Sequence, residues 1–164
     1  ERITDATALK TALINHAVIV ARKLRTQGSL TQRLLMFVAS SPHQDGYYKK
    51  SYIYEFSVAT ADSCVFANAI SEVFDHLYKP GVRFYKCGIG ALELSSQMFQ
   101  QPDLFQAPID NPKLMKCLDS INSRYGVGTL AIASETPTTR WHMKRAYLSP
   151  HYTTRWHNLP KIHC

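Results

Sequence analysis

The chain has 164 residues, 45% of them hydrophobic and 19% charged, a balance that excludes global disorder and suits one compact domain with an appendage. No apolar run approaches the length of a bilayer span and no signal-peptide pattern opens the chain, so the expectation is a cytoplasmic protein. A formal charge of +7 favours a polyanionic partner. The first residue is Glu1 rather than methionine, which reads as a piece of a longer protein.

In chain order, Glu1 to Ile3 read as the end of a strand. Thr4 or Asp5 then offers an N-cap oxygen to a helix whose apolar residues fall at Leu9, Leu13, Ala17, Val20 and Leu24. Arg22, Lys23 and Arg25 suit the negative end of its dipole, and Gly28 closes it. Arg33 to Ser40 is predicted as a strand, Pro42 to Gly46 as a turn, and Tyr52 to Val58 as a second strand with Tyr52, Tyr54 and Phe56 alternating against Ile53 and Glu55. Asp62 or Ser63 caps a second helix with the face Phe66, Ile70, Val73, Phe74 and Leu77, stopped at Pro80-Gly81. Val82 to Leu94 is a long strand in which Gly88 and Gly90 allow a bulge or a close backbone approach.

The order strand, helix, strand, strand, helix, strand predicts an α+β fold: a small sheet of about four strands with two helices on one face and the other face open and polar enough to meet a partner. Ser95 to Pro112, rich in Gln, Pro, Asp and Asn, reads as a linker. Lys113 to Tyr125 forms a short helix stopped at Gly126 to Gly128, Thr129 to Ala133 is a strand candidate, and the remainder is expected to be only partly ordered. The predicted division is therefore residues 1–98, a linker 99–112 and a C-terminal extension 113–164.

Catalysis is not visible. The acids are dispersed, with no Asp-x-Asp or Asp-Glu pair to hold the two metal ions of nucleotidyl transfer. Gly126-Val127-Gly128 lacks the third glycine and following lysine of a phosphate loop and serves better as a helix stop. His142, His151, His157, His163 and Cys164 crowd the end of the chain, but their spacings match no common zinc site, so no metal is assigned. Cys64, Cys87, Cys117 and Cys164 form no C-x-x-C pair and are read as reduced thiols, the first two as core fillers.

Gln101-Pro102-Asp103-Leu104-Phe105 is the sharpest short motif. Gln-x-x-Leu-Phe is what a bacterial β sliding clamp accepts from its polymerase partners: the Gln101 amide fixes register while Leu104 and Phe105 fill an apolar pocket. DNA binding on the open sheet face would draw on Arg33, Lys49, Lys50, Arg83 and Lys86, which neutralise phosphates without reading bases. Tyr47, Tyr48, Tyr52 and Tyr54 either stack on bases or pack the sheet, and packing is the commoner use. After Glu135 there are no acids, while Arg140, Lys144, Arg145, Arg155 and Lys161 remain, so Lys144, Arg145 and Arg155 are candidates for contacts to DNA or a partner.

The run from Met143 to Arg155, Met-Lys-Arg-Ala-Tyr-Leu-Ser-Pro-His-Tyr-Thr-Thr-Arg, resembles the end of UmuC-type Y-family translesion DNA polymerases. Glu1 to Asp5 is similar to the start of their little-finger domain, and Tyr85 to Ile89, the clamp motif and Gly126 to Leu130 follow in matching order. The resemblance implies a little finger that lays its sheet across the major groove, with Arg83 and Lys86 as preferred DNA contacts and Gln101, Leu104 and Phe105 as the clamp-binding element. It implies that the palm and its Mg²⁺ lie outside this chain, which needs no cofactor and does not polymerise alone. It also implies a UmuD-like subunit and RecA as further partners of an SOS-type error-prone polymerase. The competing expectation is a protein-interaction module for UmuD-like or RecA-like partners with negligible DNA binding. The ending Trp156 to Cys164 departs from the family pattern and receives no role.

Overall fold

The computed structural model describes residues 2–43, 46–99, 109–135, 149–151, 153 and 156–159. Helix α1 (Ala6–Gln27) starts at Asp5, whose carboxylate accepts the Ala8 N–H, and ends at Gly28 in the left-handed region at φ 69°. That turn feeds directly into strand β1 (Ser29–Ser40), which therefore begins earlier than the apolar run Leu34 to Val38 suggests. Strand β2 (Lys49–Thr60) follows, then helix α2 (Ser63–Leu77), capped by the Asp62 carboxylate on the Cys64 and Val65 N–H groups, and strand β3 (Phe84–Ser96). A 3-10 turn at Gln97–Phe99 and helix α3 (Pro112–Tyr125) complete the larger elements, with Asn111 capping α3.

The sheet is antiparallel in the order β2-β1-β3. Ile3 adds a one-residue bridge to Phe84, exchanging N···O hydrogen bonds of 3.0 and 2.8 Å, which is the structural counterpart of the predicted strand end. The α+β class is as predicted, with three strands plus this bridge among the described residues in place of about four.

Both α1 and α2 lie on one face of the sheet. Their buried residues, among them Leu9, Leu13, Ala17, Leu24, Phe66, Ile70, Val73 and Leu77, meet Leu30, Leu34, Met36, Val38, Phe56 and Phe84. Phe56 and Phe66 stack with centroids 5.4 Å apart across the helix–sheet boundary. Burying each such ring contributes about 1.5–3 kcal/mol, so this layer dominates stability.

Thr129 to Ala133 is not a strand: the Asn122 side chain, near the end of α3, takes both the Leu130 N–H (2.9 Å) and the Leu130 carbonyl (2.8 Å). An amide that occupies both backbone groups of Leu130 leaves that residue no ladder to join.

Candidate nucleic-acid interface

Strand alternation divides the sheet into two chemically distinct faces. Leu34, Met36 and Val38 point to the helices, so Arg33, Leu35, Phe37 and Ala39 line the opposite face. Pairing assigns the neighbours. Ala39 lies between Lys49 on β2 and Lys86 on β3, placing two cations in one row across the sheet. Phe37 lies between Ser51 and Gly88, and Leu35 between Ile53 and Gly90. Arg33 lies between Glu55 and Leu92. The face is thus cationic at one end and apolar in the middle, with Ile53 53% exposed; it is less polar than the sequence suggests.

Gly88 lets the Phe37 ring approach the β3 backbone closely. A Cβ at that position would come within 2.6 Å of the outer edge of the Phe37 ring, so the ring closes over the Gly88 backbone beside the lysine row.

At the far end, Arg33 is engaged by carboxylates. Its Nη1 donates to Glu93 at 2.6 Å and its Nη2 to Glu55 at 3.5 Å. Glu93 adopts φ 52°, the one non-glycine positive φ among the described residues. Regular alternation would send Glu93 to the helix side, opposite to Leu92; the left-handed turn costs about 1–2 kcal/mol and brings its carboxylate to Arg33. Sequence reasoning missed this cluster, although a lone acid between Leu92 and Leu94 was the available signal.

The remaining predicted contacts are less central. Lys50 pairs with Val38 and therefore sits on the helix side of the free β2 edge. Arg83 is exposed in the turn just before β3 rather than on the strand. Three of the four tyrosines serve packing. Tyr48 donates to the Leu77 carbonyl at 3.0 Å, Tyr54 donates to Glu72 at 2.9 Å, and Tyr52 stacks on His76 with centroids 5.8 Å apart. The hydrogen bond to Glu72, then burial, raises the Tyr54 pKa, and burial raises that of Tyr48. Tyr47 is 54% exposed.

A cleft of about 360 Å³ runs beside β3 between Ile3, Leu9, His16, Phe84 and Cys87. Burial pushes the Cys87 thiol up to about 11, so it is a neutral packing group rather than a nucleophile. Among the described residues no cluster of three or more His, Cys, Asp or Glu is placed to hold a metal ion. No described helix is long and apolar enough to cross a membrane.

Helix α3 is anchored to the end of the helix layer. Arg25, in the last turn of α1, forms a two-pronged pair with Asp119 (Nε to Oδ2 2.6 Å, Nη2 to Oδ1 2.8 Å). Its Nη1 also donates to the Ala61 carbonyl at 2.7 Å and the Ser63 hydroxyl at 3.0 Å. Met115, Leu118 and Asn122 form the buried side of α3. Upstream of it, the Asn111 N–H donates to Asp62 at 2.9 Å and Thr60 to Asp110 at 3.3 Å, while the Gln97 N–H donates to the Gly28 carbonyl at 2.9 Å. Gln101, Leu104 and Phe105 fall between these two anchored positions and lie outside the described residues, as do Lys144, Arg145 and Arg155.

Residues 1–104 match the impB/mucB/samB family C-terminal domain, and residues 112–162 match a domain of unknown function, DUF4113. The chain is 34% identical to Protein UmuC of Salmonella typhimurium strain LT2, over 99% of this chain and 40% of that protein. It is 32% identical to Protein ImpB of Salmonella typhimurium and 28% identical to Protein MucB of Escherichia coli, each over 98% of this chain and 39% of the relative. The chain thus spans about 40% of the length of the curated relatives it matches. The resemblance carried by the Met143 to Arg155 run is borne out, and the chain belongs to the impB/mucB/samB family, corresponding to the C-terminal region of its UmuC-type members.

Proposed function

We propose that this chain is the DNA-holding and clamp-tethering C-terminal region of an SOS-type, error-prone translesion DNA polymerase, with no catalytic centre of its own. The observation that carries the reading is the row Lys49–Ala39–Lys86 on the open face of the sheet. Two ammonium groups flanking the small Ala39 side chain suit a phosphate backbone, and nothing in the row reads bases. Primer–template DNA is therefore held without regard to sequence. Gln101, Leu104 and Phe105 supply the tether to a bacterial β sliding clamp, and a UmuD-like subunit and RecA are further partners suggested by the family. The basic tail with Lys144, Arg145 and Arg155 is the candidate for those contacts or for additional DNA.

A second reading, a protein-docking module with negligible DNA affinity, draws on the exposed apolar side chains Met98, Phe99, Leu114 and Val127, which lie off the sheet face. Fluorescence anisotropy with a primer–template separates the two. The replacement of Lys49 and Lys86 by Gln is expected to weaken binding roughly tenfold at moderate salt and to lower the slope of log K against log salt by about 1.8, because two phosphates are no longer neutralised. Unchanged affinity and slope would favour the docking reading.

A further inference from the structure

We infer that Glu55 and Glu93 act as a charge stop that confines the polyanion to the lysine end of the sheet and holds Arg33 in reserve. The inference rests on the open face being the DNA face, and it assigns a role to residues outside the phosphate contacts themselves. The lysine row and the Arg33 row are separated by six residues of β1, about 20 Å, long enough for a phosphate backbone to cross one without meeting the other. At the lysine row the charges are two cations. At the Arg33 row one guanidinium faces two carboxylates, so a phosphate arriving there meets a net negative site.

The arrangement is built rather than incidental. Register places Glu55 directly opposite Arg33, and the departure of Glu93 to φ 52° turns onto the same face a carboxylate that alternation would hide. The pairs are exposed, with Arg33 40%, Glu55 60% and Glu93 53% accessible, so they contribute little to holding the fold. Their larger consequence is the sign of the potential at that end of the face. A hold that ends at one row is weaker and easier to release than one that spans the sheet, and its strength is set by two removable charges.

The test is DNA affinity of the double variant Glu55→Gln, Glu93→Gln, measured with the same primer–template as a function of salt. Affinity is expected to rise about fivefold and the salt slope to steepen by about 0.9, one additional phosphate engaged by the released Arg33. Adding Arg33→Gln should return the slope to the wild-type value. Should Glu93→Gln disturb β3, Glu93→Gly suits the positive φ and removes the same charge. As a control for bulk charge, Glu72→Gln with Asp75→Asn on α2 should leave the slope unchanged. An equal gain from that control, or no gain from the sheet-face variant, overturns the charge stop. If the Lys49 and Lys86 replacements also leave binding unchanged, the DNA-face reading itself fails. If they weaken binding while the glutamate variants do nothing, only the charge stop fails.

Discussion

Arg25→Ala is expected to destabilise the protein by about 2–4 kcal/mol and to release α3 from the helix layer. The guanidinium is 15% exposed and the Asp119 carboxylate 28%, so the pair is largely desolvated. Its removal strands Asp119 and takes a donor from the Ala61 carbonyl and the Ser63 hydroxyl. A leftover half-buried carboxylate costs more than the pair itself contributes. Arg25→Lys keeps the charge without the two-pronged geometry and should give an intermediate loss. Denaturant midpoints measure the total, and amide exchange locates it: protection should fall first in 112–125 and remain in α1. A variant that unfolds like the wild type, with α3 still protected, would show that Arg25 does not anchor the helix.

Leu104→Ala with Phe105→Ala is expected to reduce affinity for a bacterial β sliding clamp by at least about 100-fold, because two apolar anchors of such a motif carry most of its binding energy. Both flanks of the motif are fastened to the same end of the layer, Gln97 through Gly28 and Asn111 through Asp62. The double variant should therefore keep the wild-type unfolding midpoint while losing the clamp. Surface plasmon resonance on immobilised clamp gives the affinity, and wild-type binding by the variant would remove the tether from the proposal.

The helices are legible in the sequence because their signals are local. Asp5 and Gly28 bracket α1, and the predicted apolar face of α2 is the face that is buried. The alternation in β2 is equally plain, yet which side meets the helices is not, since Tyr52, Tyr54 and Phe56 fit a stacking platform as well as a packed layer. Packing prevails because Glu72, His76 and Phe66 on α2 are placed to receive them. The lysine row is not legible at all. Lys49 and Lys86 come to flank Ala39 only through the order β2-β1-β3, which periodicity does not encode. Arg33 reads as a phosphate contact in the sequence for the same reason: its carboxylates arrive by cross-strand pairing and by the one irregular φ of β3. Arg25 and Asp119, 94 positions apart, belong to the same class of long-range contact.

The most direct test is amide chemical-shift mapping of the chain as primer–template DNA is added at low salt. The largest perturbations are expected at residues 37–39, 49–51 and 86–90, with those around Glu55 and Glu93 small. Perturbations confined to α1, α2 or α3, with the lysine row silent, would contradict a sheet-face hold on DNA.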